Sequence, residues 1–214
     1  MEQNISNIIP QANRLIKLHA VFLYVYNIHI LAGTSANGAS MIEPGKINHA
    51  GNGGTVIGEI NGQITDRIKN LKKMLDLEKL GPCEISDNVM GLIWDKLLVN
   101  VGINPLTALT GFRNGELLEH KESVEILEKL VEEGIQVAKA LGIKLKYTTA
   151  DHCKDVCKAT SQNISSMLAD VMNKRRTEIM SINGAVVREG KRLGISTPYN
   201  EIMTNLILLK EKSY

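Results

Sequence analysis

The spacing of hydrophobic residues changes once along the chain, near residue 86. Before that point, from about residue 28 to residue 85, short β-rich runs alternate with glycine turns, which predicts a small sheet. One helix is predicted within this part, over residues 63–77, where apolar side chains recur at helical spacing. Gly81-Pro82 then ends the helix, and a closing strand is predicted over residues 83–86.

After residue 86 the hydrophobic pattern is helical. Gly142 and Gly194 stand where glycine commonly ends a helix. The predicted fold class is therefore α+β and mainly α, with a partial α/β domain at residues 1–86 and a helical domain at residues 87–214. Apolar residues at three- and four-residue intervals predict helices over residues 88–104, 121–141, 147–157, about 160–190 and 198–211.

A polar stripe interrupts the first helix of the second domain. Lys96, Asn100 and Asn104 are four residues apart, so each step advances only about 40° around the helix and all three point to one side. The apolar residues around them indicate that the stripe borders the interior. Pro105 lacks a backbone donor and is predicted to stop or kink the helix. One cation and two amides suit a small oxygen-rich molecule, although a solvated helix edge with a snorkelling lysine is the alternative.

A second set of polar residues lies in the segment 159–184, which is predicted to be one long helix opened by small polar residues. Asn163 and Ser166 would share a face of that helix. Glu178 would return to within roughly 60° of the same direction, four turns along. The alternative is that Glu178 is only an exposed ion-pair partner of Arg175, which contributes a few tenths of a kcal/mol.

Together these segments resemble the ketopantoate reductase family, also called 2-dehydropantoate 2-reductases, which are NADPH-dependent enzymes of pantothenate synthesis. The resemblance covers roughly residues 30 to 208. In the first domain it rests on Gly33-Thr34, Gly38-Ala39, Pro44-Gly45 and Ile57-Gly58-Glu59. In the second domain it rests on Trp94-Asp95-Lys96-Leu97 through Asn100 to Asn104-Pro105-Leu106-Thr107-Ala108, Asn114-Gly115-Glu116-Leu117, Asn163-Ile164-Ser165-Ser166-Met167-Leu168, Arg176-Thr177-Glu178-Ile179 and Ile182-Asn183-Gly184.

The resemblance implies an all-helical second domain of the 6-phosphogluconate dehydrogenase type, after a Rossmann-type unit that binds NADP or NADPH. It also implies a role for each matching residue. Reducing a 2-keto acid requires a hydride and a proton for the developing alkoxide, and a lysine ammonium can donate that proton. By position, Lys96 matches the general acid, and the substrate amides are those of Asn100, Asn104 and Asn114. Ser166 matches the residue that contacts the substrate carboxylate, with Asn163 beside it. Glu178 matches a catalytic carboxylate between substrate and cofactor, and Ala39 matches a position that touches the cofactor through its backbone.

The chain departs from the family in its first half. It lacks the Gly-x-Gly-x-x-Gly turn that binds the cofactor pyrophosphate. Its densest glycine run, residues 51–59, has Val56 at the third glycine position and is interpreted as a turn between two strands. Gln3-Asn4 and Asn13 do not match the family's Asn-Gly pair. We therefore expect a truncated nucleotide-binding domain and weak NADPH binding. Sheet edge and apolar surface would be exposed unless the chain forms a homodimer or rearranges.

Composition restricts the remaining functions. A net charge of +2 and a pI near 8.4 give no reason to expect nucleic-acid or membrane binding, and the run Lys174-Arg175-Arg176 is interpreted as a solvated helix face. Three cysteines, an odd number, favour a reducing compartment. The apolar run at residues 20–26 is too short to span a membrane. A secretory signal peptide is the alternative, but cleavage near Ala36 would cut a family-like strand, so the predicted location is the cytoplasm.

His152, Cys153 and Cys157 lie close in sequence, and the two cysteines would share a helix face. A zinc site usually needs four ligands, and only the distant Cys83 remains, so these thiols are interpreted as reduced and partly buried. Two other functions stay open for the whole chain. One is a non-catalytic helical dimerisation or interaction module. The other is a reductase of a different 2-keto acid or of an imine.

Overall fold

The computed structural model describes residues 30–36, 38–43, 45–51, 53–77 and 82–214. The chain divides into two compact units, Met1–Ile93 and Trp94–Tyr214. The predicted domain boundary near residue 86 stays a prediction. The apolar run at residues 20–26 lies outside the described residues, as do Gln3-Asn4 and Asn13.

The described residues of the first unit form two small sheets and one complete helix, α1. The strands are β1 (Leu31–Ser35), β2 (Gly38–Glu43), β3 (Lys46–Gly51), β4 (Thr55–Glu59) and β5 (Cys83–Ile85), and α1 is Asp66–Leu77. One sheet has the order β1-β4-β5, in which β4 is antiparallel to β1 and parallel to β5. The other is the antiparallel pair β2-β3. The prediction of an α/β unit before a helical domain is confirmed.

The glycine run at residues 51–59 connects two strands, as predicted. β3 ends at Gly51 and β4 begins at Thr55. These strands belong to different sheets, so the connection is not a hairpin. The hairpin lies one turn earlier, where Gly45 has a φ of 83°, a conformation that favours glycine.

Helix α1 begins later than its hydrophobic pattern predicts. The predicted start at Gln63 is wrong because the Asn61 side chain accepts the Gln63 N–H at 3.0 Å, which forms a local turn. Ile64 is consequently exposed, whereas Ile68 is fully buried with Ile57 and Cys83. Arg67 of α1 donates to the buried Glu59.

The second unit is helical. Gly142 and Gly194 follow helix ends with positive φ values of 73° and 70°, as predicted. None of the described helices is long and apolar enough to cross a membrane. The helices are α2 (Val89–Thr110), which begins in the first unit, α3 (Lys121–Ala140), α4 (Asp151–Ala159), α5 (Ser166–Met172), α6 (Asn183–Leu193) and α7 (Pro198–Glu211), with short 3-10 helices at Glu116–Glu119 and Ile179–Ser181.

Pro105 is predicted to stop or kink its helix. The predicted stop is wrong, because α2 continues to Thr110, and the kink stays a prediction. A proline inside a helix leaves the carbonyl four residues earlier without its usual N–H partner, and here that carbonyl is Val101. The side chain of Asn183 donates its Nδ2 hydrogen to the Val101 carbonyl at 3.1 Å. A side chain from α6 therefore replaces the hydrogen bond that Pro105 removes.

The prediction of one long helix over residues 160–190 is also wrong. Ser165 caps α5 by accepting the Leu168 N–H at 3.0 Å, so α5 starts only at Ser166. Lys174, just after α5, has a φ of 52°, and α6 begins at Asn183. Asn163 consequently precedes α5 and shares no helix face with Ser166, and Glu178 is not four turns along the same helix.

Candidate functional site

The polar stripe lies on an unbroken helix. Lys96, Asn100 and Asn104 all fall within α2, so their common direction follows from helical geometry. Asn104 is 5% exposed, and Lys96 and Asn100 are half-buried. The stripe therefore borders the interior of the second unit, as predicted.

Close packing fixes the opposite side of α2. Gly102 is turned about 200° from Asn100, and a Cβ atom at Gly102 would lie 2.8 Å from the Cys153 Sγ and 2.9 Å from the Val131 Cγ2. Real Cβ atoms do not approach other atoms so closely, so a side chain at Gly102 would force the Cys153 and Val131 side chains to move. Glycine at this position therefore allows close packing on the side of α2 opposite the stripe.

Burial lowers the pKa of Lys96 from its ordinary value of 10.5, because removal from water disfavours the charged ammonium. A lysine with a lowered pKa releases its proton more easily. It is therefore a better general acid near neutral pH than an exposed lysine.

Asn114 is buried, and the nitrogen of its side-chain amide forms a hydrogen bond. Its Nδ2 donates to the Thr160 Oγ1 at 2.9 Å, which fixes the orientation of the amide. Its Oδ1 is buried and accepts no hydrogen bond among the described residues. A buried acceptor that lacks a hydrogen bond costs about 1–3 kcal/mol, so this oxygen is suited to accept a hydrogen bond from a ligand hydroxyl.

Backbone hydrogen bonds bring the Asn114 and Asn163 segments together. The Asn114 N–H donates to the Asn163 carbonyl at 3.0 Å, and the Gly115 N–H donates to the Ser161 carbonyl at 3.1 Å. A Cβ atom at Gly115 would lie 2.6 Å from the Ser161 Cβ. Glycine is therefore required for this close approach. Asn163 itself is exposed.

Ser166 lies in the first turn of α5, where its side chain is exposed. The buried residue of this pair is its neighbour, Ser165. The Thr107 hydroxyl of α2 donates to the Ser165 Oγ at 2.7 Å. This contact ties the start of α5 to the turn of α2 that follows Asn104.

Glu178 lies between α5 and α6, at the residue before the 3-10 helix Ile179–Ser181. Its side chain is half-buried, and its carbonyl accepts the Ser181 N–H at 2.8 Å. The alternative is an exposed ion pair between Glu178 and Arg175 on one helix. It requires a helix over both residues, and no helix spans them.

Ala39 belongs to the first unit, where it pairs with His49 across β2 and β3. All the other candidate residues belong to the second unit. Within the second unit, Thr107 and Ser165 link the α2 stripe to Ser166, and Asn114 is linked to Asn163. The roles of these residues stay predictions.

The family model described as ketopantoate reductase PanE/ApbA C terminal matches residues 88–211. The chain belongs to the ketopantoate reductase family. The match begins one residue before α2 and includes each candidate residue of the second unit. The fold of that unit is therefore the C-terminal helical domain of ketopantoate reductases.

Relatives extend the likeness into the first unit. A 2-dehydropantoate 2-reductase of Halobacterium salinarum is 33% identical over 86% of this chain and 60% of its own length. The crystal structure of a ketopantoate reductase from Ralstonia eutropha JMP134 has a TM-score of 0.78 and 31% identity, over 86% of this chain and 59% of that one. A complex of D-mandelate dehydrogenase with NADH has a TM-score of 0.82 and 27% identity, over 98% and 68%. The chain thus spans about 60% of the length of the ketopantoate reductases it matches.

Three residues that support the candidate site were not singled out as ligands in the sequence. Thr107, Thr160 and Ser165 each hold a candidate residue or its helix in place. Ser165 carried a local signal, since serine before an apolar helical run is a common N-cap. The partners of Thr107 and Thr160 are 58 and 46 residues away along the chain, so nothing local indicates them.

Cys153 and Cys157 share a face of α4, as predicted, and both are buried and free. A hydrogen bond between the two thiols, together with burial, raises the pKa of Cys153. A protonated, buried thiol is a poor nucleophile and a poor metal ligand. Cys153 therefore contributes to packing behind Gly102.

Proposed function

We propose that this chain carries the substrate site of a 2-dehydropantoate 2-reductase, which reduces ketopantoate to pantoate with NADPH. The proposal is carried by the half-buried Lys96, because burial lowers its pKa. Lys96 lies on the same face of α2 as Asn100 and Asn104. The names of the matched relatives support ketopantoate as the substrate.

Each residue has a distinct part in the proposed reaction. NADPH, when bound, supplies the hydride to the keto carbon. Lys96 polarises the keto oxygen and donates the proton that the developing alkoxide needs. The three amides of Asn100, Asn104 and Asn114 bind the hydroxyl and carbonyl oxygens of the substrate, because an amide offers both donors and an acceptor.

The remaining residues orient the substrate. Ser166 donates to the carboxylate, with Asn163 as a supporting amide. The exposed position of Ser166 at the start of α5 leaves its hydroxyl accessible. Glu178 accepts from a hydroxyl and favours the charged form of Lys96. Held in this way, the keto carbon presents a fixed face to the nicotinamide.

The residues assigned to NADPH fit only part of the cofactor. Ala39 offers backbone groups in β2, and Glu178 offers a half-buried carboxylate. The sequence contains no Gly-x-Gly-x-x-Gly turn for the pyrophosphate. Binding of NADPH to this chain is therefore proposed to be weak, and NADPH rather than NADH is part of the proposal.

A homodimer in the cytoplasm completes the proposal. Helix α7 exposes an apolar stripe of four residues at three- and four-residue spacing, which is the spacing of helices that pair. Its members are 42–61% exposed: Tyr199, Ile202, Leu206 and Leu209. A contiguous apolar stripe of this kind marks an interaction surface. The three free cysteines support a reducing compartment.

Two observations favour other functions. The exposed stripe of α7 would also serve a non-catalytic interaction module that kept the fold. The high TM-score to D-mandelate dehydrogenase favours a reductase of another 2-keto acid, one with a phenyl side chain.

The test is NADPH oxidation by the purified chain, at NADPH concentrations raised to saturation, with ketopantoate or with a 2-keto acid that bears a phenyl group. We expect turnover with ketopantoate, and a loss of at least about 100-fold in Lys96→Ala. Preference for the phenyl substrate would overturn the choice of ketopantoate. No turnover with either acid, in a chain shown to be folded by circular dichroism, would favour the interaction module.

A further inference from the structure

The segment that carries Glu178 has no regular secondary structure of its own. Between α5 and the 3-10 helix Ile179–Ser181, the backbone at Lys174 adopts a φ of 52°, which costs energy for a residue with a side chain. The Arg175 N–H donates back to the Asp170 carbonyl at 2.8 Å. Glu178 is held on its C-terminal side, where its carbonyl accepts the Ser181 and Ile182 N–H groups. The residues just before it are held by contacts from elsewhere.

Those contacts come from the end of α7. The Oε1 atom of Glu211 accepts two hydrogen bonds from Thr177, one from the backbone N–H and one from the Oγ1 hydroxyl, both at 2.7 Å. Hydrogen bonds to an ionised carboxylate are roughly twice as strong as neutral ones. Thr177 directly precedes Glu178, so the contact fixes the backbone next to the candidate catalytic carboxylate.

A second contact comes from the last residue of the chain. The Tyr214 hydroxyl donates to the Arg175 carbonyl at 2.7 Å. Burial, followed by the negative charges of Glu211 and Asp170, raises the pKa of Tyr214. The phenol therefore stays protonated and remains a donor over the physiological pH range.

We infer that Glu211 is a positioning residue for Glu178 and acts through Thr177, with Tyr214 bracing the same segment. This inference rests on the proposed function, since it assigns Glu211 a part in holding the reductase site. Loss of both hydrogen bonds would free the backbone at Thr177 and displace Glu178. Displacements of about 1 Å in such sites cost up to about 100-fold in rate.

Helix α7 provides its own matched control. Glu201 is a carboxylate of the same helix that pairs with Lys191 at 2.6 Å and makes no described contact with Thr177. Glu201→Ala removes one charge from α7 without touching the Glu178 segment. Glu211→Gln retains a side-chain oxygen that can accept from Thr177, whereas Glu211→Ala removes the acceptor.

The experiment compares the full chain with these three variants by hydrogen exchange and by calorimetric titration with ketopantoate. In Glu211→Ala we expect amide exchange over residues 174–179 to rise at least tenfold, with α2 unchanged, and the ketopantoate Kd to rise about tenfold. Glu211→Gln should recover most of both losses. Glu201→Ala should match the parent in both measurements.

Unchanged exchange over residues 174–179 in Glu211→Ala would overturn the inference. It would also be overturned by faster exchange with an unchanged ketopantoate Kd, or by an equal loss in Glu201→Ala. A folded parent chain that binds no ketopantoate would refute the proposed function instead. Exchange would then still decide whether Glu211 sets the conformation of the Glu178 segment.

Discussion

The helix that carries the polar stripe passes through Pro105 because Asn183 supplies a donor that proline lacks. The Val101 carbonyl accepts from the Asn183 Nδ2 at 3.1 Å, and the Asn183 side chain is 0% exposed. The Asn183→Ala substitution would leave that carbonyl unpaired in the interior. The same amide also donates to the Asn200 Oδ1 at 3.0 Å, so the substitution removes two hydrogen bonds.

The size of the effect follows from these two losses. A buried acceptor left without a partner costs about 1–3 kcal/mol, so the two losses in Asn183→Ala should lower the free energy of unfolding by about 2–6 kcal/mol. Pro105→Ala restores an N–H at residue 105 that can donate to Val101 within the helix. In the Pro105→Ala variant, the Val101 carbonyl keeps a partner when Asn183 is removed. Asn183→Ala should therefore lower the free energy of unfolding by about 1–3 kcal/mol less than it does in the parent.

The assay is urea unfolding of four proteins: the parent, each single variant and the double variant. The two substitutions should not be additive. The double variant should lose less free energy of unfolding than the sum of the losses in the two single variants. Glu201→Ala combined with Pro105→Ala is the control and should be additive. Additivity within about 0.3 kcal/mol for Pro105→Ala and Asn183→Ala would refute the reasoning that Asn183 replaces the missing donor.

Three further predictions concern the site. Gly115→Ala should push the Asn114 and Asn163 segments apart, because its Cβ would lie 2.6 Å from the Ser161 Cβ, and raise the ketopantoate Kd about tenfold; calorimetry showing an unchanged Kd would contradict this. Deprotonation of Lys96 removes the general acid, so kcat/KM for reduction should fall as pH rises through a pKa below 10.5; a fall only at or above 10.5 would argue against it. NADPH should bind more weakly than micromolar in a fluorescence titration, and a tighter Kd would show another phosphate site.

The sequence predicts the parts of this fold that depend on local spacing. The stripe of Lys96, Asn100 and Asn104 needs only helical periodicity, and the ends of α3 and α6 need only Gly142 and Gly194. These predictions are confirmed because the interactions that decide them lie within a few residues of each other.

The predictions that failed have both local and distant causes. The Asn61–Gln63 hydrogen bond delays α1 and the Ser165 cap starts α5, and both are local. Pro105 stays in a helix because Asn183, 82 residues farther along the chain, compensates for it. The segment after α5 breaks where Lys174 adopts a left-handed conformation, and its exit is held by Glu211, 34 residues beyond Thr177. The site residues themselves were assigned by resemblance, which periodicity alone could not do.

The most direct test of the central claim is a calorimetric titration of the purified chain with ketopantoate, beside Asn104→Ala. Asn104 is buried on α2 and belongs to the proposed substrate site. We expect saturable binding by the parent, and a loss of about tenfold or more in the variant, because one buried hydrogen-bond partner is removed. Equal affinity in the two proteins, both folded by circular dichroism, would contradict the placement of the substrate on this stripe.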